Sequence, residues 1–169
     1  MKIAMIVAMD ESGFIGKDGD LPWRMSSDLK RFRDLTTGDG FNAVVMGRKT
    51  WDSLPDSYRP LPERTNIVLS RDSSLQIDGA EIALYDGRAV EIGYSEGCDE
   101  LWVIGGAEIY DLMIQRCDEI HVTTVHTSVD GDAMFPDWDR TQWAEDVIQE
   151  NVSSEHDDHA STYSIWRRI

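Results

Sequence analysis

The sequence predicts a single α/β domain in three layers: a mostly parallel sheet between helices, with an antiparallel edge at its carboxyl-terminal end. Three observations carry this reading. The most apolar segments, led by Ile3 to Met9, are unbroken rather than alternating, as expected of strands covered on both faces. Strand-like and helix-like segments alternate through the first two thirds of the chain, and strands dominate thereafter. The 169 residues suit one core, with no linker, repeat or compositional break to divide them, so residues 1–169 are expected to form one domain.

Each element has a local cause. Ile3 to Met9 makes the first strand, followed by a polar loop carrying Gly13, Gly16 and Gly19 that ends at Leu21-Pro22-Trp23. Ser26 and Ser27 are candidate caps for a helix over Asp28 to Leu35, along which Leu29, Phe32 and Leu35 recur. Asn42 to Met46 is a short apolar strand, and Gly47-Arg48-Lys49-Thr50 leads into a short helix through Trp51 and Leu54. Thr65 to Ser70 and the weaker Ala80 to Tyr85 are strands, with a small helix near Arg88 to Ile92. Glu100 to Ile104 is a strand broken at Gly105-Gly106, a helix follows near Ala107 to Ile114, and Glu119 to Val125 is a long strand. Gln142 to Glu150 and Ser161 to Trp166 read as an antiparallel pair joined by a polar, solvated turn over Asn151 to His159.

Charge excludes several functions. Sixteen Lys and Arg against 32 Asp and Glu give a net charge of −16, which repels nucleic-acid phosphates and anionic membranes alike. The amino-terminal apolar run is too short to span a membrane. Cys98 and Cys117 are too few for a disulfide framework, so a reducing cytoplasm is the expected compartment. Nothing calls for a protein partner, and a monomer is expected.

Ligands of open α/β sheets bind at the carboxyl ends of the strands. Three such ends here suit an anion: Gly47, Arg48, Lys49 and Thr50 after one strand, Ser70 and Arg71 after another, and Gly105, Gly106 and Ala107 after a third. Residues 48–71 hold five cations and three acids, net +2, so the remainder carries −18. A positive island on a polyanion points to a phosphorylated or carboxylated ligand. Asp28 shares a helix face with Phe32 and Leu35. It fits either an acid favoured by the helix dipole or a partly desolvated carboxylate that pairs with a heterocycle bearing adjacent N–H donors. Neither a catalytic nucleophile nor a metal-ligand spacing is present, and His121 and His126 show no obvious partner.

Taken together, these motifs resemble the dihydrofolate reductase family over nearly the whole chain. In order they are Ile15-Gly16, Leu21-Pro22-Trp23, Asp28-Leu29 with Phe32, Met46-Gly47-Arg48-Lys49-Thr50-Trp51, and Leu61-Pro62-Glu63-Arg64 with Asn66-Ile67. Ile104-Gly105-Gly106-Ala107, Ile109-Tyr110, Asp130-Gly131-Asp132 and Phe135-Pro136 follow. The resemblance implies an eight-stranded sheet with about four helices, and NADPH-dependent reduction of 7,8-dihydrofolate to 5,6,7,8-tetrahydrofolate, with antifolates as inhibitors.

It further implies that Asp28 binds the pterin beside Thr123, with Trp23 and Tyr110 completing the catalytic set. Ile6, Ala8, Leu29, Phe32, Leu54 and Ile104 would wall the substrate, and Arg64 would pair with its glutamate tail. Ala8, Ile15, Gly16, Gly47, Arg48, Lys49, Thr50, Leu69, Ser70, Arg71, Gly105, Gly106, Ala107 and Ile109 would hold NADPH, with Gly105-Gly106 joined by a cis peptide. The loop from Glu11 to Trp23 would act as a lid braced by Asp132. Glu63 departs from the family's usual glycine and Ala107 from its common third glycine. Glu108 stands where some members carry a cation. Rival readings are a pyrimidine reductase of riboflavin synthesis, disfavoured by Asp28 with Arg64, a flavin electron carrier, which would be yellow, and a non-catalytic binding module.

An acidic surface of this density is suited to concentrated salt, which screens its self-repulsion. The melting temperature is therefore expected to rise along a potassium chloride series. A flat response would dissociate the acidity from salt.

Overall fold

The fold, described for residues 1–169 by a computed structural model, is set by a run of buried parallel strands. In chain order the elements are β1 (Lys2–Asp10), β2 (Phe14–Gly16), α1 (Ser26–Thr37), β3 (Ala43–Gly47), α2 (Arg48–Ser53), β4 (Thr65–Leu69) and β5 (Glu81–Ala83). They continue with α3 (Asp86–Ser95), β6 (Glu100–Val103), α4 (Ala107–Met113), β7 (Glu119–Val125), β8 (Ala133–Met134), β9 (Trp143–Asn151) and β10 (Ser161–Arg168). Eight strands form one sheet in the order β5-β4-β3-β6-β1-β7-β10-β9. The first six run parallel, β10 is antiparallel to β7, and β9 pairs antiparallel with β10. This is the three-layer fold with an antiparallel edge that the pattern predicts.

Apolar burial explains the strand order. Val44, Val45, Ile67, Val68, Leu101 and Val103 are fully buried, and these β-branched and branched residues fill both faces of the central strands. One face carries Met5, Val7 and Met9 of β1 with Ala89 and Ile92 of α3 and Ile109, Tyr110 and Met113 of α4. The other packs Ala4, Val44, Met46 and Trp102 against Trp51, with Phe32, Leu35 and Leu54 at its margin. Helices α1 and α2 therefore cover one face, and α3 and α4 the opposite one.

Four local expectations change. Ser26 and Ser27 lie inside α1 rather than capping it, and Met25 holds the cap position without a side-chain hydrogen bond. Orphan N–H groups at the start of α1 are met from far along the chain: Ser27 N donates to Asp157 Oδ1 at 3.0 Å and Ser26 N to the His156 carbonyl at 3.0 Å. The turn read as solvated thus holds Asp157 buried at 7% exposure, tied to α1. His121 is partnered after all, with Nδ1 at 2.6 Å from Tyr163 Oη and Nε2 at 3.0 Å from Glu119 Oε2.

The fourth change concerns the loop after β1. It contains β2, which pairs with β8 in a separate two-stranded sheet. Asp10 is buried at its base, where Oδ1 accepts from the N–H groups of Ser12 and Phe14, and Oδ2 from Val129 N. Farther out, Asp18 N donates to Asp132 Oδ2 at 2.9 Å. A Cβ at Gly131 would fall 2.9 Å from the Gly16 carbonyl oxygen, so this close crossing requires glycine.

Candidate active site

The carboxyl ends of β1, β3, β4, β6 and β7 meet where the strand order reverses around β1, the usual ligand crevice of open parallel sheets. Ile6 and Ala8 alternate along β1 on the face toward α1, and Ala8 lies in register with Thr123 of β7. Thr123 Oγ1 donates to Asp28 Oδ1 at 2.6 Å, tying α1 to the sheet. Arg31 Nη1 donates to the same oxygen at 3.1 Å. Burial raises the Asp28 carboxyl above its ordinary pKa, Thr123 and Arg31 oppose that rise, and the nearby charge of Asp157 adds to it.

Around this carboxylate, Trp23 is buried with Met25 and Val125, and Ala8 packs against that cluster. Tyr110 reaches across the sheet's end, its hydroxyl donating to the Ile6 carbonyl at 2.8 Å. Burial and the Asp28 charge push the Tyr110 phenol far up, so it remains protonated. Its one hydrogen is therefore committed to Ile6, which leaves the side chain suited to shaping the site. Phe32, Leu54 and Ile104 are half-buried along the same face as Trp51, whereas Leu29 is exposed at 55%.

Arg64 sits at the far end of α1. Its Nε donates to the Pro62 carbonyl and its Nη1 to Thr36 Oγ1, both at 2.9 Å, and Thr36 in turn donates to the Phe32 carbonyl at 2.7 Å. The guanidinium is thereby aimed before any ligand arrives. Burial lowers its pKa, with Glu63 opposing and Arg33 reinforcing. Glu63 itself adopts φ +61°, the left-handed conformation suited to the glycine it replaces.

On the other side of the crevice the loops after β3 and β6 touch: Gly47 N donates to the Gly105 carbonyl at 2.9 Å. The Gly105-Gly106 peptide is cis. A Cβ at Gly47 would meet Ile109 at 3.1 Å, and one at Gly105, where φ is +117°, would meet the Tyr110 hydroxyl at 3.1 Å. The glycines keep open a cradle that side chains would fill. Thr50 and Ala107 border it, close to Gly106. Arg48 is paired with Asp52 at 3.3 Å, while Lys49 and the exposed Arg71 have no acidic partner. Leu69 is buried, and Ser70 Oγ is engaged by Asp72 N. Ile15 and Gly16 lie on β2, in the small two-stranded sheet rather than the main one.

A match to the family model for dihydrofolate reductase extends over residues 2–168. The chain belongs to the dihydrofolate reductase family. It is 33% identical to dihydrofolate reductase of Staphylococcus haemolyticus, with 100% of this chain and 97% of that protein covered. Against the Mycobacterium leprae reductase the identity is 44%, covering 82% of this chain and 83% of that protein. A solved dihydrofolate reductase from Enterococcus faecalis, complexed with NADP(H) and RAB-propyl, superposes with a TM-score of 0.84 at 33% identity, covering 99% of this chain and 96% of that one. This protein is accordingly an NADPH-dependent oxidoreductase that reduces dihydrofolate to tetrahydrofolate.

Sequence reasoning missed Arg31, Asp157 and Thr36, which orient the reductase's charged groups. Only Arg31 left a trace, its three-residue spacing from Asp28 on a helix. An acid whose pKa is raised by folding is stabilised in its neutral form, so ionised Asp28 costs stability at neutral pH. Asp28→Asn is thus expected to melt above the native protein at pH 7. The gap should close as pH falls from the raised value towards the ordinary 3.8. A lower melting temperature at pH 7 would contradict this.

Proposed function

We propose that this reductase works by orientation and electrostatics centred on Asp28. The observation that carries the reading is a half-buried carboxylate, 20% exposed, with Oδ1 held by Thr123 and Arg31 and with no protein donor on Oδ2. Such a group suits the paired N–H donors of a pterin ring. Its negative charge favours protonation of the bound substrate at N5, with water delivering the proton. Trp23 and the Tyr110 ring exclude bulk solvent from the site, and Ile6, Ala8, Leu29, Phe32, Leu54 and Ile104 supply its apolar walls. Arg64, pre-aimed by Pro62 and Thr36, suits the carboxylate of the glutamate tail.

NADPH, when bound, supplies the hydride that reduces dihydrofolate at C6. The glycine cradle at Gly47, Gly105 and Gly106 fits close approach of its backbone-bound groups, with Thr50, Ala107 and Ile109 alongside. Arg48, Lys49, Ser70 and Arg71 suit its phosphates and ribose, Leu69 borders them, and Ala8, Ile15 and Gly16 close over the nicotinamide side. Lid closure runs through β2 and β8, braced between Asp18 and Asp132. The chain is taken to act as a cytoplasmic monomer, and antifolates to compete at the substrate site. No helix is long and apolar enough to cross a membrane.

Loss of 340 nm absorbance with NADPH and dihydrofolate, blocked by an antifolate, is the direct assay. Asp28→Asn should slow hydride transfer by roughly a hundredfold or more at pH 7 and by less in acid, where the substrate is already protonated. An unchanged rate at pH 7 would remove Asp28 from this role.

Arg71→Ala should weaken NADPH by roughly 10- to 100-fold, the worth of a hydrogen bond to a charged group, and leave NADH nearly unaffected. Arg48→Ala should act in the same direction but less, since Asp52 already neutralises Arg48. Equal losses for the two cofactors would place both residues outside the 2′-phosphate site.

A further inference from the structure

Arg31 is a cation in a place where a helix needs none. It lies one turn beyond Asp28, its side chain only 13% exposed, and turns inward beneath the site rather than out to solvent. Both terminal nitrogens of the guanidinium are engaged. Nη1 donates to Asp28 Oδ1 at 3.1 Å and stands 3.5 Å from Thr123 Oγ1, while Nη2 donates to Gln149 Oε1 on β9 at 3.2 Å. Its flat face covers the Tyr163 ring on β10, 4.2 Å from the centroid. Tyr163 is fixed in turn by His121, and His121 by Glu119. The guanidinium is therefore held from below by two strands while it holds Asp28 above.

An exposed ion pair at this spacing contributes a few tenths of a kcal/mol and orients nothing. A mostly buried one is different, because both charges are largely withdrawn from water and lean on each other for solvation. Asp28 Oδ1 takes both protein donors, from Thr123 and Arg31, which fixes the rotation of the carboxylate and leaves Oδ2 without a protein donor.

We propose that Arg31 is a positioning residue of the reductase, a built-in counter-cation that keeps the Asp28 carboxylate ionised and sets its orientation for the substrate. The inference rests on the reading of Asp28 as the substrate-binding acid. The groups that bear on the carboxylate are Arg31 of α1, Asp157 of the turn before β10, Tyr110 of α4 and Tyr163 of β10, besides the Thr123 hydroxyl of β7. Arg31 is the cation among them, opposing both burial and Asp157. The strand residues Gln149 and Tyr163 act one step farther out, by keeping the guanidinium in place.

The test is a titration of Asp28 in the ligand-free enzyme by NMR of carbon-13-labelled aspartate, with the resonance identified by its absence in Asp28→Asn. Arg31→Met should raise the proton affinity of Asp28 at least tenfold, the smallest effect expected of an opposite charge at this range. The pH at which KM for dihydrofolate begins to climb should move up with it. Arg31→Lys, which restores charge without the fork, should recover most of the proton affinity. A midpoint within twofold of the native proton affinity, or a KM profile that stays put while the midpoint moves, overturns the proposal. Should Arg31→Met fail to fold, Gln149→Leu and Tyr163→Leu loosen the guanidinium without removing it. About threefold tighter proton binding is then expected, and no change overturns the proposal. Native hydride transfer in Asp28→Asn would overturn the role of Asp28 itself, an outcome separate from any of these titrations.

Discussion

One carboxylate, half-buried where five strand ends and a helix converge, is the constraint around which this structure is arranged. An ionised acid in such a place is tolerated only with donors and counter-charge at hand. Asp28 receives a hydroxyl from β7 and a guanidinium from its own helix, and that guanidinium is anchored on β9 and β10. The antiparallel edge, whose Trp143 also joins the larger core cluster, is thereby made part of the site. The turn between β9 and β10 contributes too, since Asp157 pins the first turn of α1 and so fixes where Asp28 stands.

The same element supplies a counter-effect. Asp157 satisfies the start of α1 but places a second negative charge near Asp28, and its repulsion adds to burial in raising the Asp28 carboxyl. Helix anchoring and site electrostatics are coupled through one residue. A neutral cap at position 157 would hold the helix and relax the carboxylate, whereas the native arrangement adds the Asp157 charge to burial in raising the acid's proton affinity. Holding the charge there costs stability, the exchange expected where a site must hold a charge it would not choose.

Legibility in the sequence followed the range of the interactions. Continuous apolar runs located the central strands to within a residue or two, because covering both faces of a parallel strand leaves no room for polar residues. The glycines at 47 and 105 were legible because strand ends that meet this closely leave no room for side chains. The caps were misjudged because Ser26 and Ser27 satisfy the local rule while the donors and acceptors that matter lie about 130 residues away. Two- and three-residue strands such as β2 and β8 carry no periodicity to detect, and they form because Asp10, Asp132 and Gly131 bring their backbones together. The partners of His121 and Arg31 were hidden for the same reason, as strand pairing brings Tyr163 beside Thr123 and Gln149 beside Tyr163.

The net charge of −16 and the Asp28–Arg31 pair belong to different electrostatic regimes. Charges on the exposed surface interact through water and fade beyond about 8 Å at physiological ionic strength, and sooner in concentrated salt. A partly buried pair at 3.1 Å is screened far less. Salt can therefore quiet the repulsion of the acidic exterior without loosening the cation that holds the carboxylate. The surface is free to follow the protein's surroundings because the charge on which the site depends has its partner inside the fold.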